Sequence, residues 1–322
     1  MQADEKHLKR EIPPTCEGMR MDKALAALFP GYSRSAMQKW LKQGLIVVDD
    51  EIPSQRDRVQ GGERVELVVP EIQSVLWQPE PVALTLVHED EHLIVVNKPA
   101  GLVVHPGAGN PRNTLVNGLL HHDGSLSALP RAGIVHRLDK DTTGLMVVAR
   151  TEAARLALID QLAKRSLGRT YLAVVQGVPV SGGTIDEPVG RDRHDRRRMA
   201  VVSGGKPAVT HFRVERRYRV HTLLRCKLES GRTHQIRVHM RHIGFPLVGD
   251  PVYGGRSRFP PDSMDDLREM LQRFNRQALH AWKLRLIHPG TGTTMAWEAP
   301  LPFDMMALCE VLATDSERTR GD

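Results

Sequence analysis

Residues 133–149 read Gly-Ile-Val-His-Arg-Leu-Asp-Lys-Asp-Thr-Thr-Gly-Leu-Met-Val-Val-Ala, and the rest of the chain is best read outward from them. Leu145–Ala149 is a short apolar run of the length a buried strand needs. The polar segment before it, His136 through Gly144, is then a loop feeding that strand. Within the loop Asp139 lies between Arg137 and Lys140, and neighbouring cations favour the charged form of a carboxylate. A carboxylate kept ionised suits nucleophilic or electrostatic work better than acid catalysis. Taken alone, an Asp in a turn before a strand is more often structural, because its side chain bonds readily to nearby backbone.

Two rival motifs overlap the same residues. Asp139-x-Asp141-x-Thr143 resembles the opening of a haloacid-dehalogenase phosphatase, but Gly249-Asp250-Pro251-Val252-Tyr253-Gly254 lacks the second Asp that such a family needs downstream. The same residues imitate an EF-hand opening, yet the twelfth loop position is Arg150, where a bidentate Glu is required. A second dense stretch is Gly231-Arg232-Thr233-His234-Gln235-Ile236-Arg237-Val238-His239-Met240-Arg241-His242. Thr233 is placed to cap a helix with Ile236, Met240 and Ile243 inward and Gly244 at its end. Arg237 and Arg241 would then be neighbours able to share one anionic surface. His234 and His242 would lie about 12 Å apart along the helix, too far for one ion, so no metal site is expected. No Walker loop or Gly-x-Ser-x-Gly occurs, and Gly107-Ala108-Gly109 lies between Pro106 and Pro111. ATP hydrolysis, cofactor-dependent methyl transfer and serine hydrolysis lose support accordingly.

Over the whole chain, 40% of the 322 residues are hydrophobic and 26% charged, an ordinary globular composition of two-domain length. No apolar run approaches the roughly 18 residues of a membrane span, and the N-terminus has no secretory pattern. Cys16, Cys226 and Cys309 form no Cys-x-x-Cys pair, so neither a disulfide framework nor a four-cysteine zinc site is expected, and the chain reads as cytoplasmic. The net charge of +7 favours a polyanionic partner. Basic and acidic groups number 3 and 4 in residues 1–17, 8 and 8 in 18–78, and 34 and 26 in 79–322, so the excess belongs to the last part. The runs Arg191–Arg198 and Arg213–Arg225 make a phosphate-contacting surface there the better reading of that charge. Aromatic residues, at 4%, argue against a broad stacking platform.

Residues 1–17 read as a flexible polar lead-in. Met21, Leu25, Leu28 and Phe29 line one face of a short helix, and Pro30-Gly31 breaks it. Ser33 is an N-cap for a second helix through Trp40 and Leu41, with Gly44 at its end. Leu45–Val48, the Asp49-Asp50 turn, and alternating Val65, Leu67 and Val69 complete a small sheet. This order over residues 18–78 resembles a small S4-type α/β RNA-binding domain, with Arg20, Lys23, Arg34, Lys39 and Lys42 as RNA-binding candidates. The plainer alternative is a helical cap with solvated charges. Pro70–Pro81 reads as a linker. Residues 79–322 then show strands at Leu84–Val87, Leu93–Val96, Leu102–Val104, Leu145–Ala149, Tyr171–Val175 and within 207–228, and a helix near Glu152–Lys164 burying Ala153, Leu156, Ala157 and Leu162. The fold class is α+β with a mixed, largely antiparallel sheet.

The separate stretches gain meaning from their order. Asn97-Lys98-Pro99-Ala100-Gly101, His136-Arg137-Leu138-Asp139, Arg169-Thr170-Tyr171, Gly231-Arg232-Thr233-His234-Gln235-Ile236-Arg237 and Gly249-Asp250-Pro251-Val252-Tyr253-Gly254 follow one another as in RluA-type pseudouridine synthases, and the resemblance spans nearly all of residues 20–310. It implies isomerisation of uridine in RNA to its C5-glycoside, without a cofactor. Asp139 would be the catalytic residue, either attacking the ribose C1′ or stabilising and deprotonating a sugar cation on the way to a glycal. Tyr171 would pack on the base, Arg237 would pair with Asp139, and Arg137 would fill the gap left by a flipped base. The implied partner is large-subunit ribosomal RNA or a pre-ribosomal particle, with targets in the helix 69 stem-loop, and a monomer away from any membrane. The contrasting class is a non-catalytic RNA-binding ribosome assembly factor.

Overall fold

The computed structural model describes residues 6–318, apart from 31, 33, 70–76, 108 and 196–197. The chain forms two compact units, Met1–Leu76 and Trp77–Asp322. The first contains β1 (Lys6–Glu11), α1 (Met21–Leu28), α2 (Arg34–Lys42), β2 (Ile46–Val48) and β3 (Arg64–Val69), with antiparallel sheet order β1-β3-β2. Part of the expected flexible lead-in is thus a strand, paired with β3 from Lys6↔Val69 to Glu11↔Arg64. Its polar sequence conceals it, because only Leu8 and the fully buried Ile12 just beyond it turn toward the core. Asp49 and Asp50 make the turn after β2 with φ of 46° and 69°, a conformation short acidic side chains tolerate better than most. Ser33, the expected N-cap of α2, lies outside the described residues, whereas Gly44 ends that helix at φ 71° as expected.

Asp22, on α1, organises this unit electrostatically. Its carboxylate is fully buried and accepts hydrogen bonds from Gln38 at 2.5 Å, from Arg34 at 2.9–3.1 Å and from Arg20 at 3.2 Å. Burial alone would raise its pKa, but the bonds from Gln38, Arg20 and Arg34 outweigh it and hold the carboxyl at about 2.

The second unit contains β4 (Leu86–Glu89), β5 (Leu93–Lys98), α3 (Leu115–His122), β6 (Thr143–Ala149), α4 (Glu152–Ala163), β7 (Gly168–Gln176), β8 (Gly183–Asp186), β9 (Val189–Arg191), β10 (Met199–Val201), β11 (Val209–Arg217), β12 (His221–Leu228), α5 (Gln235–His242), α6 (Asp265–Arg273), β13 (Leu279–Ile287), β14 (Thr294–Glu298) and α7 (Phe303–Arg318). Among the described residues a nine-stranded sheet runs β4-β5-β6-β13-β7-β12-β11-β8, with β14 added to β13. Its pairs are antiparallel except β6 with β13, so the sheet is mixed and largely antiparallel. Every residue of β6 is buried, and its two faces feed separate apolar cores: Met146 and Val148 one, Leu145, Val147 and Ala149 the other. Continuous burial of this kind explains why the run lacks polar alternation.

Two expectations of local structure fail. Leu102–Val104 is not a strand; the Val103 and Val104 carbonyls accept from the first amides of α3, Leu115 at 2.8 Å and Val116 at 3.1 Å. This satisfies orphan donors at a helix start. In α4 the buried side is Ala154, Leu158 and Gln161, with Leu162 half-buried against the core as expected, while Ala153 is exposed and Leu156 is 55% exposed. Small alanines spread around α4 blur its apolar stripe, and packing chose the neighbouring face.

The Asp22 cluster makes a pH prediction. Its folded pKa of about 2 lies below the unfolded value near 3.9, so its stabilisation is complete above about pH 4 and is lost as pH falls toward 2. Asp22→Asn is expected to cost the N-terminal unit about 1–2 kcal/mol near neutrality, the arginines being partly exposed, and to flatten the acid dependence. Hydrogen exchange across residues 6–69 between pH 2.5 and 7 measures both effects.

Candidate active site

The loop that carries Asp139 is fastened by its backbone. Gly133 and Gly144 bound it, with φ of 76° and 111°; a Cβ at either would lie 1.9 Å from the Ala149 carbonyl oxygen or 2.3 Å from that of Ala281. Only glycine permits such an approach. Lys98, 1% exposed, donates to the carbonyls of Pro99 at 2.7 Å, Leu102 at 2.9 Å and Lys140 at 2.7 Å. Burial brings its pKa down to about 7, although Asp141 and Asp139 favour its charge. Arg276 forks onto Asp304 at 2.6 and 2.7 Å and donates to the Asp141 carbonyl at 3.2 Å. Gln277 donates to the Thr142 hydroxyl at 3.1 Å. These bonds use backbone and hydroxyl groups of the three residues after Asp139, which leaves its carboxylate to face a cavity.

That cavity, of about 600 Å³, is lined among others by Arg137, Asp139, Arg169, Tyr171, His234 and Arg237. The Arg237 side chain is 5% exposed, and its Nη1 donates to Asp139 at 2.9 Å. The rest of its fork is bidentate on Asp250, at 2.7 Å from Nε and 2.9 Å from Nη2. Asp250 also accepts from the backbone amides of Val252 at 2.9 Å and Tyr253 at 3.0 Å. Burial opposes ionisation of Asp250, but these bonds prevail and hold its carboxyl below the ordinary range. Arg237 is correspondingly raised, burial being outweighed by its two carboxylate partners, and it lies 5.1 Å from the Tyr253 ring centroid. Arg241 does not join it; Arg241 is exposed, whereas Arg237 is buried and engaged by the two carboxylates. The two arginines therefore do not share an anionic surface as their spacing suggested.

The N-cap of α5 is His234 rather than Thr233, in a left-handed conformation with φ 57°. Such a backbone is unusual for a residue with a Cβ. The Tyr253 hydroxyl accepts from the Met199 amide at 2.9 Å and shares a hydrogen bond with His234 Nδ1, also at 2.9 Å. The other ring nitrogen, Nε2, faces Asp139 Oδ1 at 3.9 Å. Burial depresses the His234 pKa, against the attraction of Asp139.

Tyr171 is buried on β7, and its pKa is raised by that burial. Arg137 is exposed where it borders the cavity. In the N-terminal unit Lys23, Lys39 and Lys42 are exposed, whereas Arg20 and Arg34 are tied to Asp22. Much of the basic run 213–225 is engaged within the protein: Arg216 with Glu317, Arg219 with Asp315, Arg225 with Glu215, and Arg217 with the Val180 carbonyl. Sequence reasoning missed Asp250, Lys98, His234 and Arg169 as site residues. Asp250 had a signal, an acidic residue in a Gly-rich turn, which was weighed only as a phosphatase partner. Arg169 had another: it lies two residues before Tyr171 on a strand and so shares its face.

Both units of the chain have known relatives. The RNA pseudouridylate synthase family matches residues 92–242, and the S4 domain family matches residues 19–65. The ribosomal large subunit pseudouridine synthase D of Pseudomonas aeruginosa is 53% identical over 97% of this chain and 97% of its own. The protein of the same name from Escherichia coli K12 is 50% identical over 95% of this chain and 94% of its own. Among solved structures, human RNA pseudouridylate synthase domain containing 4 aligns with a TM-score of 0.56 and 26% identity, over 71% of this chain and 93% of that one.

The shared fork is testable by unfolding. Arg237→Ala strands Asp250 in the interior and is expected to cost about 3–5 kcal/mol. Arg237→Ala combined with Asp250→Ala should cost clearly less than the sum of the two single changes, as urea denaturation of the three variants would measure.

Proposed function

The chain belongs to the RNA pseudouridylate synthase family, with an S4 domain ahead of its synthase unit, and we propose that it isomerises uridines of large-subunit ribosomal RNA in the helix 69 stem-loop. The observation that carries the reading is a carboxylate, Asp139, held by a buried guanidinium in a cavity that Tyr171 also lines. The relatives named for ribosomal large subunit pseudouridylation support the choice of RNA.

The reaction breaks the bond from C1′ to N1 and makes one from C1′ to C5; the base loses its C5 proton and gains one at N1. As the first bond breaks, positive charge develops on the sugar. A preoriented carboxylate stabilises that charge without having to reorganise. Asp139 meets it either by attack at C1′ or as the base on the path to a glycal. Tyr171 offers an aromatic face for the detached base. A paired uridine must leave its stack to reach the cavity, and the exposed Arg137 at its border fits the role of holding the space it vacates. Lys23, Lys39 and Lys42 on α1 and α2 supply phosphate contacts, and Asp22 presents Arg20 and Arg34 for the same purpose.

Pseudouridine mapping of ribosomal RNA from cells with and without the protein tests the substrate, and loss of modification confined to helix 69 is the expected result. Purified Asp139→Asn should retain its fold and lose activity by several orders of magnitude; pseudouridine formation near the wild-type rate would overturn its role. For the N-terminal unit, each of Lys23→Ala, Lys39→Ala and Lys42→Ala should lower the slope of log affinity against log salt by about 0.7–0.9. A salt titration of RNA binding measures this.

A further inference from the structure

We propose that Arg169 is an anion-binding residue of the cavity and takes a phosphate group of the RNA backbone flanking the flipped nucleotide. The proposal rests on the synthase reading above and assigns a residue that reading does not use.

Three arginines are buried among the described residues: Arg169, Arg237 and Arg276. Arg237 is forked onto Asp250 and Arg276 onto Asp304. Arg169, 7% exposed, has no such partner: no hydrogen bond or ion pair engages its guanidinium among the described residues, and its buried Nε is unsatisfied. Buried charges are ordinarily paired, because leaving water without compensation is costly. The acids that line the same cavity are committed elsewhere, Asp139 to Arg237 and Glu229 to Arg165 and His211. Nearby His136 is neutral, chiefly through burial, and its Nε2 accepts from the Val147 amide, so its Nδ1 presents another donor rather than an acceptor.

The surroundings keep the guanidinium in place. A Cβ at Gly231 would lie 2.5 Å from Arg169 Nη1. Gly231 has no left-handed backbone, so its lack of a side chain serves space rather than conformation. It opens the segment leading into α5, whose first residues line the cavity and present the positive end of the helix. A cation without a counter-charge, in a cavity that the start of α5 also lines and two residues from Tyr171 on the same strand face, matches a doubly acceptor-rich anion. A phosphodiester fills the fork of an arginine with two parallel bonds. A uracil carbonyl would leave the charge uncompensated.

The test is a chemical double-mutant cycle on an RNA stem-loop containing the target uridine, with a single neutral methylphosphonate placed on its 5′ or its 3′ side. Arg169→Met should weaken binding of the unmodified RNA about 10- to 100-fold. A methylphosphonate at one of the two positions should weaken wild-type binding similarly and leave Arg169→Met unaffected. Without RNA, Arg169→Met should melt at a higher temperature than wild type, since an uncompensated buried charge has gone. Losses that multiply at both positions would overturn the proposal. So would failure of both Arg169→Met and Arg169→Gln to fold, which would make the residue structural. A wild-type protein that forms no pseudouridine on the unmodified RNA would instead count against the synthase reading, while the binding cycle still reports on Arg169.

Discussion

The guanidinium of Arg237 is divided between two carboxylates, and the cavity is arranged around that division. Asp250 occupies Nε and Nη2, so the one direction left is Nη1, which points to Asp139. One cation with two carboxylates leaves the group one negative charge in excess. That excess resides on the partner open to the cavity, because Asp250 is enclosed and bonded to two backbone amides as well. The arrangement separates two tasks. Asp250 sets the orientation of the arginine, and the arginine sets the orientation of Asp139 without neutralising the site.

A carboxylate held this way is useful only if its backbone is equally fixed. Lys98 and Arg276 bind the carbonyls just after Asp139, and both are themselves immobilised, one by burial and one by Asp304. Preorganisation of this kind lowers the cost of placing charge at the moment it is needed. The N-terminal unit uses the reverse device: there a buried carboxylate, Asp22, holds two arginines at the surface. In one unit cations order an acid, and in the other an acid orders cations.

The strand Leu145–Ala149 and the loop before it were legible because they are local in sequence, a polar run followed by an apolar one. Arg237 as the partner of Asp139 came from the order of motifs and not from periodicity, since 98 residues separate the two. Asp250 was written in a recognisable turn, but nothing local says that it faces Arg237 and not a metal or phosphate. β1 was hidden because most of its side chains are polar, and its pairing with β3 is a property of the partner strand. The face of α4 was misassigned because alanines tolerate either side of a helix. Arg169 escaped notice because what distinguishes it is a missing partner, which no linear pattern records.

Gly133 and Gly144 bring the chain so near the carbonyls of Ala149 and Ala281 that the segment between them is anchored at both ends like a measured span. A side chain within it can change while its path stays the same. A change in its length cannot be passed outward into the neighbouring strands, because neither anchor can slide past a carbonyl in contact with it. The added or missing residue would have to be absorbed next to Asp139, where Lys98 already holds the backbone. The span is therefore more tolerant of altered spelling than of altered length.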